Sequence, residues 1–332
     1  MKILVTGATG FIGQHLVSHL SKKSHQIWCL VRKTSNKKTV QKLQNQGAKL
    51  VFADLKHIKK AKLPATFDWI FHLAALVDTT DKYPASTLLR ENTKTTSDLA
   101  QIYLGKVKKF IFLSSMSAVG IANKNKLITE KTLCQPHTNY GRSKLQAETL
   151  LLHLFHQHQF PIVILRPPTV YGPGEHYNFL KLAQAIYRHR FWLIGKGKNQ
   201  LSLCYVDNLI QAMLLAARGS RGVGEVFLVD DGHPYTLKQL AHAIAQAENR
   251  EIPPYSLPYS LAYLAGFVFE LAAKIIPLAP PLTRKRVITL TSNFAFDISK
   301  AKRVLKYHPE ITLTKAVNLT ISSFQKSNLL TP

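Results

Sequence analysis

Seven residues near the start of the chain, Gly7-Ala8-Thr9-Gly10-Phe11-Ile12-Gly13, restrict its possible folds more than any other stretch. They come directly after the apolar run Ile3-Leu4-Val5-Thr6 and lead into a segment of helical period, so the glycines lie between a strand and a helix. Glycines so placed let the chain turn tightly, let its backbone approach a pyrophosphate and let helix pack closely on strand. The helix N-terminus adds oriented N–H donors and the positive end of its dipole. Gly7, Thr9, Gly10, Phe11, Ile12 and Gly13 are therefore candidate phosphate-site residues.

The remainder of the first half suits such a start. Short apolar runs at 3–6, 26–31, 49–52, 69–73, 110–114 and 162–166 alternate with helical segments such as 12–22, 86–104 and 140–158. This alternation predicts six buried strands in an α/β, doubly wound parallel sheet built from right-handed crossovers. After Arg166 the texture changes, with Pro167-Pro168 and Tyr171-Gly172-Pro173-Gly174 reading as loop. The expected division is a dinucleotide-binding domain over 1–172 and a smaller substrate-binding part over 173–332, with about 203–229 packing back on the first.

Composition narrows the class. A chain of 332 residues that is 46% hydrophobic, with 16 glycines and 16 prolines, is neither disordered nor fibrous. The charge is unusual: 44 basic against 18 acidic residues leave +26. That field attracts polyanions, whether nucleic acid, anionic lipid or phosphorylated small molecules, although the basic residues are dispersed as on solvated faces. Cys29, Cys134 and Cys204 are far apart with no metal-ligand spacing, and His153, His156 and His158 read as an exposed polar face, so no metal site is expected. The N-terminus enters a strand at once, without the pattern of a secretory leader, and the expectation is a cytoplasmic protein.

Two positions bear on the cofactor. Where a carboxylate at the end of the second strand would bind the ribose 2′-hydroxyl of NAD, this chain has Arg32-Lys33. A guanidinium there suits a 2′-phosphate, so NADP(H) is preferred and NAD(H) stays open. Asp54-Leu55 lies just past the third strand, where a carboxylate can accept from an adenine amino group or cap a helix.

The chemistry centres on Tyr140-Gly141-Arg142-Ser143-Lys144, which puts a phenol and an ammonium one helical turn apart. A nearby cation lowers a phenol pKa, and such a tyrosine can protonate a carbonyl oxygen or deprotonate an alcohol. Tyr177 and Lys181 share this spacing, so context must separate the two pairs. Only Tyr140 comes after the fifth strand, which ends in Ser114-Ser115-Met116. Ser115 is preferred over Ser114 and Ser117 as the hydroxyl facing the same substrate oxygen.

Together, Gly7 to Gly13, Asp54-Leu55, His72-Leu73-Ala74-Ala75, Asn92, Ser114-Ser115, Tyr140 to Lys144, Arg166 to Pro173 and Tyr205-Val206-Asp207-Asn208 resemble the extended short-chain dehydrogenase/reductase family, the NAD-dependent epimerase/dehydratase superfamily. The resemblance implies a Rossmann-type fold, a homodimer and a catalytic set of Ser115, Tyr140 and Lys144. It also implies that Ala74, Ala75, Asn92, Tyr140, Lys144, Pro167 and Val170 lie along the cofactor, Lys144 holding its ribose and Pro167 and Val170 near the nicotinamide.

Departures from the family pattern point to a branch. Nucleotide-sugar members usually carry Asn after the Arg of the 166–173 block and an Arg before the Tyr-Val-Asp stretch. Here these places hold Pro167-Pro168-Thr169 and Leu201. Without its arginine a diphosphate loses a bidentate contact. The chain is more similar to the 3β-hydroxysteroid dehydrogenase and dihydroflavonol reductase-like branch, which implies an NADP(H)-dependent oxidoreductase interconverting hydroxyl and keto groups on a sterol-like, flavonoid-like or lipid-like substrate. The alternatives are a nucleotide-sugar epimerase or dehydratase, and a non-catalytic dinucleotide-sensing or nucleic-acid-binding protein; nucleic acid is disfavoured because both Tyr140 and Lys144 are retained. One apolar segment, 257–282, is too short and too charged to span a bilayer. Its stripe Leu261, Leu264, Val268, Leu271 and Ile275 reads as the inward face of a core helix over a substrate pocket, the alternative being peripheral contact with an anionic membrane.

Overall fold

A computed structural model describes residues 1–78, 82–120, 127–275 and 282–331, the side chains of Lys274 and Ile275 excepted. In its first half, strands β1 (Lys2–Thr6), β2 (Gln26–Val31), β3 (Lys49–Phe52), β4 (Phe67–His72), β5 (Val107–Leu113) and β6 (Ile162–Arg166) alternate with helices α1 (Phe11–Ser21), α2 (Lys37–Asn45), α3 (Ala85–Leu88), α4 (Thr95–Ile102) and α5 (Asn139–His158). A wider π turn, Leu89–Lys94, joins α3 to α4. Then come β7 (Thr169–Tyr171), α6 (Asn178–Tyr187), β8 (Leu193–Ile194), β9 (Gln200–Leu201), β10 (Leu203–Tyr205), α7 (Val206–Arg218) and β11 (Glu225–Leu228). The chain ends with β12 (Tyr235–Thr236), α8 (Leu237–Ala247), β13 (Ser256–Leu257), α9 (Tyr259–Ile275), α10 (Arg284–Thr291), α11 (Ser299–Leu305) and α12 (Leu313–Lys326).

The main sheet has seven strands in the order β11-β6-β5-β4-β1-β2-β3, every pair parallel. The order reverses between β1 and β4, so the glycine turn after β1 opens into the crevice where sheets of this kind bind ligands. Branched and aromatic side chains build the strands because both faces are covered. Alternate residues serve opposite cores: Val163 and Leu165 pack with α1 and α7, while Ile162 and Ile164 pack with α4 and α5. The family-type Rossmann fold is thus present. Two details differ from the sequence reading. β11 is a seventh strand, too short and too far along the chain to declare itself by periodicity. β3 is not fully buried, because an edge strand has one neighbour, and Lys49 and Phe52 are exposed.

Among the described residues, those beyond β7 divide between two large cores and a small cluster of Ile194, Ala262 and Val287. Leu209, Ile210 and Met213 of α7 and Phe227 of β11 join the core on the α1 side of the sheet. α6, α8 and α12 enclose another around Tyr171, Phe179, Tyr205 and Phe324. Buried Asp231, just after β11, links the two: its carboxylate accepts from the Tyr171 hydroxyl at 3.0 Å, the Tyr205 N–H at 2.7 Å and the Asn208 amide at 2.8 Å.

The stripe assigned to the inside of α9 faces outward instead. Leu261, Leu264, Val268 and Leu271 are 54%, 58%, 53% and 44% exposed, whereas Ala262 and Gly266 are buried. Close approach to α10 selects the small residues: a Cβ on Gly266 would lie 2.9 Å from the Arg284 nitrogen. The side chain of Ile275, the last member of that stripe, and residues 276–281 of the apolar segment lie outside what the structure describes.

Candidate active site

The turn after β1 is formed as a phosphate cradle requires. Gly7 has φ +70°, and a Cβ there would stand 2.7 Å from the Ala74 nitrogen, so only glycine lets the turn lie against the chain leaving β4. Helix α1 starts after Gly10 with no side chain capping it, which leaves its first N–H groups to an outside acceptor. Thr9, Phe11, Ile12 and Gly13 complete this turn. These features fit a dinucleotide pyrophosphate.

At the end of β2, Arg32 and Lys33 are exposed, and among the described residues neither pairs with a carboxylate. The Arg32 N–H donates to the Ser35 hydroxyl at 3.2 Å, shaping the turn that presents the guanidinium. Asp54 accepts the Lys56 N–H at 2.9 Å and caps the short 3-10 turn beginning at Leu55. The capping uses Oδ1, a role compatible with an adenine contact.

The chain leaving β4 is held from below. His72 is buried between the Thr6 hydroxyl at 2.7 Å and the Thr96 hydroxyl at 2.8 Å, and burial pushes it down to about 3, so it stays neutral. Asn92, in the π turn, accepts the Leu76 N–H at 2.7 Å and donates to the Leu76 carbonyl and the Ser143 hydroxyl, both at 3.0 Å. Its amide is thus spent joining the segment after Ala74-Ala75 to α5.

The strand-end serines point apart, as neighbours on an extended chain do. Ser114 donates to the buried Glu148 carboxylate, whereas Ser115 lies on the side of the Tyr140 phenol, close enough to perturb it. The Ser117 N–H donates to the Ser115 oxygen at 3.1 Å, leaving the Ser115 proton to point elsewhere. The Met116 N–H donates to the Pro167 carbonyl at 2.9 Å, which ties this turn to the chain entering β7, where Val170 is half-buried.

Tyr140 occupies the first turn of α5, which Thr138 caps by accepting the Gly141 N–H at 3.0 Å. Gly141 packs against the Ser117 carbonyl so tightly that a Cβ would collide with it. This contact holds the phenol over Ser115. Tyr140 is 8% exposed and Lys144 2% exposed. Burial pushes the Tyr140 phenol up, the Ser115 hydrogen bond opposes that rise, and the nearby Tyr177 phenol adds to it. The sequence reading expected Lys144 to lower Tyr140; here burial dominates, and Lys144 itself is pushed down to about 8 by burial, with Glu148 opposing. Its ammonium donates to the Leu113 carbonyl at 2.8 Å and lies 4.7 Å from the Phe112 ring centre. Tyr177, by contrast, is exposed just ahead of α6.

Beneath these residues lies a feature the sequence reading missed. Glu148, one turn beyond Lys144, forms a buried ion pair with Arg166, whose Nε donates to it at 2.9 Å. The four-residue spacing Tyr140, Lys144, Glu148 was the available signal, since it places all three on one helix face. Among the described residues no group of histidine, cysteine and acidic side chains is arranged to hold a metal.

Comparison with known proteins identifies the family and agrees with the fold. A family model described as the NAD dependent epimerase/dehydratase family matches residues 3–229. A UDP-glucose 4-epimerase of Vibrio cholerae is 30% identical over 338 residues, covering 98% of this chain and 96% of the relative. A 3-beta-hydroxysteroid dehydrogenase of Mycolicibacterium neoaurum is 28% identical over 340 residues, covering 95% and 89%. Among solved structures, UDP-glucuronic acid 4-epimerase from Bacillus cereus in complex with NAD superposes with a TM-score of 0.76 at 22% identity, covering 98% of this chain and 99% of that one.

Proposed function

This chain belongs to the NAD dependent epimerase/dehydratase family, that of the extended short-chain dehydrogenases/reductases, and on that premise we propose that it interconverts a hydroxyl and a keto group on an apolar substrate, preferring NADP(H). The observation that carries the reading is that Ser115, its neighbour Tyr140 and Lys144, which holds the Leu113 carbonyl, gather at the carboxyl end of β5, on the same edge of the sheet as the glycine turn that follows β1. Gly7 to Gly13 hold the pyrophosphate, Arg32 the 2′-phosphate, and Ala74, Ala75, Asn92, Pro167 and Val170 border the rest of the cofactor. When bound, the cofactor supplies or accepts the hydride at the substrate carbon.

The residues of the chain manage the oxygen and its proton. In reduction, Ser115 donates a hydrogen bond to the substrate carbonyl oxygen and Tyr140 gives that oxygen its phenolic proton; the reverse direction returns the proton from the alcohol to the phenolate. Burial makes the phenol a reluctant anion, so Lys144, while protonated, supplies the charge that steadies it. Residues 173–332 provide most of the substrate pocket, and the enzyme acts as a homodimer. Leu201 supports an apolar substrate: it packs half-buried against the core around Tyr171 and Phe179, in the place where a diphosphate would need an arginine.

The resemblance to a UDP-glucose 4-epimerase motivates a second reading, nucleotide-sugar epimerisation, and one experiment decides between them. The purified protein is supplied with NADPH or NADH and a panel of steroid, flavonoid and long-chain ketones alongside UDP-sugars, with Tyr140→Phe as the blank. Oxidation of NADPH by an apolar ketone, abolished in Tyr140→Phe, is the expected result. Silence across the ketones with conversion of a UDP-sugar would overturn the reductase reading in favour of the epimerase.

A further inference from the structure

Helix α9 is built inside out for a helix surrounded by water. A surface helix ordinarily turns its large apolar side chains inward and its polar ones outward. α9 does the reverse, packing Ala262 and Gly266 on its neighbours and presenting Leu261, Leu264, Val268 and Leu271 to the outside. The exposure is concentrated in one place. Of the 20 exposed large apolar side chains among the described residues, eight lie on α9, two on α10, and Trp192 and Tyr255 flank the β8–β13 pair leading into it. A contiguous patch of this kind marks a surface that another apolar phase covers.

We propose that α9 lies along the interface of an anionic phospholipid bilayer, with Leu261, Leu264, Val268 and Leu271 inserted among the upper acyl chains. The helix runs 17 residues, about 25 Å at the usual rise, and no helix among the described residues is long and apolar enough to cross a membrane. It therefore lies on the surface. The one acidic side chain within it, Glu270, is held at 2.7 Å by Arg284 and so is not presented to a lipid face as a bare charge. The patch is edged by groups that suit headgroups: stacked Tyr259 and Tyr263 with ring centres 5.9 Å apart, and the basic pair Lys285-Arg286 in the first turn of α10. At this face a second copy would set the basic starts of two α10 helices against each other, whereas an anionic surface attracts them, so the homodimer is left to another face. The inference stands apart from the catalytic reading, because it requires no substrate and no turnover.

The test is flotation of the full chain with phosphatidylcholine vesicles prepared with and without phosphatidylglycerol, at low and high salt. Binding is expected to the anionic vesicles and to weaken with salt. Leu264→Ser/Val268→Ser, at exposed positions, is expected to lower partitioning by about tenfold or more, and Lys285→Glu/Arg286→Glu to remove the preference for anionic lipid. Sedimentation equilibrium of the same proteins tracks their association state. Absence of binding to anionic vesicles, binding indifferent to Leu264→Ser/Val268→Ser, or conversion by that variant of a dimer into monomers without any vesicle effect would each overturn the proposal. Tyr140→Phe should float like the parent, so loss of the reductase reading and loss of this one are separable.

Discussion

Arg32 shows how much one side chain can decide. It stands where a carboxylate would reject a 2′-phosphate, is exposed, and pairs with no carboxylate among the described residues, so its guanidinium is available. Replacing it with Asp is expected to shift the ratio of kcat/KM for NADPH over NADH toward NADH by on the order of ten- to a hundredfold, the loss of a charge-assisted contact together with new repulsion. Steady-state kinetics with both cofactors checks this; unchanged discrimination would remove Arg32 from the cofactor site. Ser114 and Ser115 are chemically identical, and the sequence preferred Ser115 by its place in the family pattern without showing why the two differ. The pleat turns one toward Glu148 and the other toward Tyr140, a consequence of where the sheet surface lies.

Among the elements, the contact between α5 and the turn after β5 is the most exacting. Gly141 sits against the Ser117 carbonyl with no room for a Cβ. Gly141→Val is expected to push the first turn of α5 away from Ser115, lowering kcat by about tenfold or more while cofactor affinity changes little, because the glycine turn and Arg32 are untouched. Turnover measurements beside a fluorescence titration with NADPH would show the split, and loss of both together would mean the helix had been displaced as a whole. The glycine motif at 7–13 was legible as a turn because its strand and helix are sequence neighbours. Gly141 was not, since the carbonyl that excludes its Cβ lies 24 residues earlier in the chain and across a loop. β11 escaped notice for a related reason: four residues gain strand character only by pairing with β6.

For the molecule as a whole, stability against pH carries the imprint of its buried groups. His72 is held near 3 in the fold against 6.5 when exposed, so its contribution is complete above pH 6.5 and is lost as pH falls toward 3. Asp231, pushed up to about 7, and Glu248, pushed up to about 8, run the opposite way, each favouring the fold more as pH falls toward the ordinary carboxylate value. The His72 share is therefore read as a difference. Between pH 6.5 and 4 the stability of the parent relative to His72→Gln is expected to fall by up to about 1.4 kcal/mol per pH unit, as measured by urea unfolding. A constant difference would mean that His72 is protonated within the fold.

The sequence by itself determined the alternation of strand and helix, the glycine turn at the head of α1 and the placing of Tyr140 and Lys144 on one helix face. These depend on periodicities of two and of three to four residues, which each segment carries alone. The tertiary structure alone decided what occupies Ser114, that Glu148 and Arg166 pair beneath Lys144, and that α9 turns its leucines outward. A hydrophobic stripe states that a helix has an apolar face, but not what covers it. On α9 the side chains small enough to approach α10 took the protein side, and the large ones were left to the other.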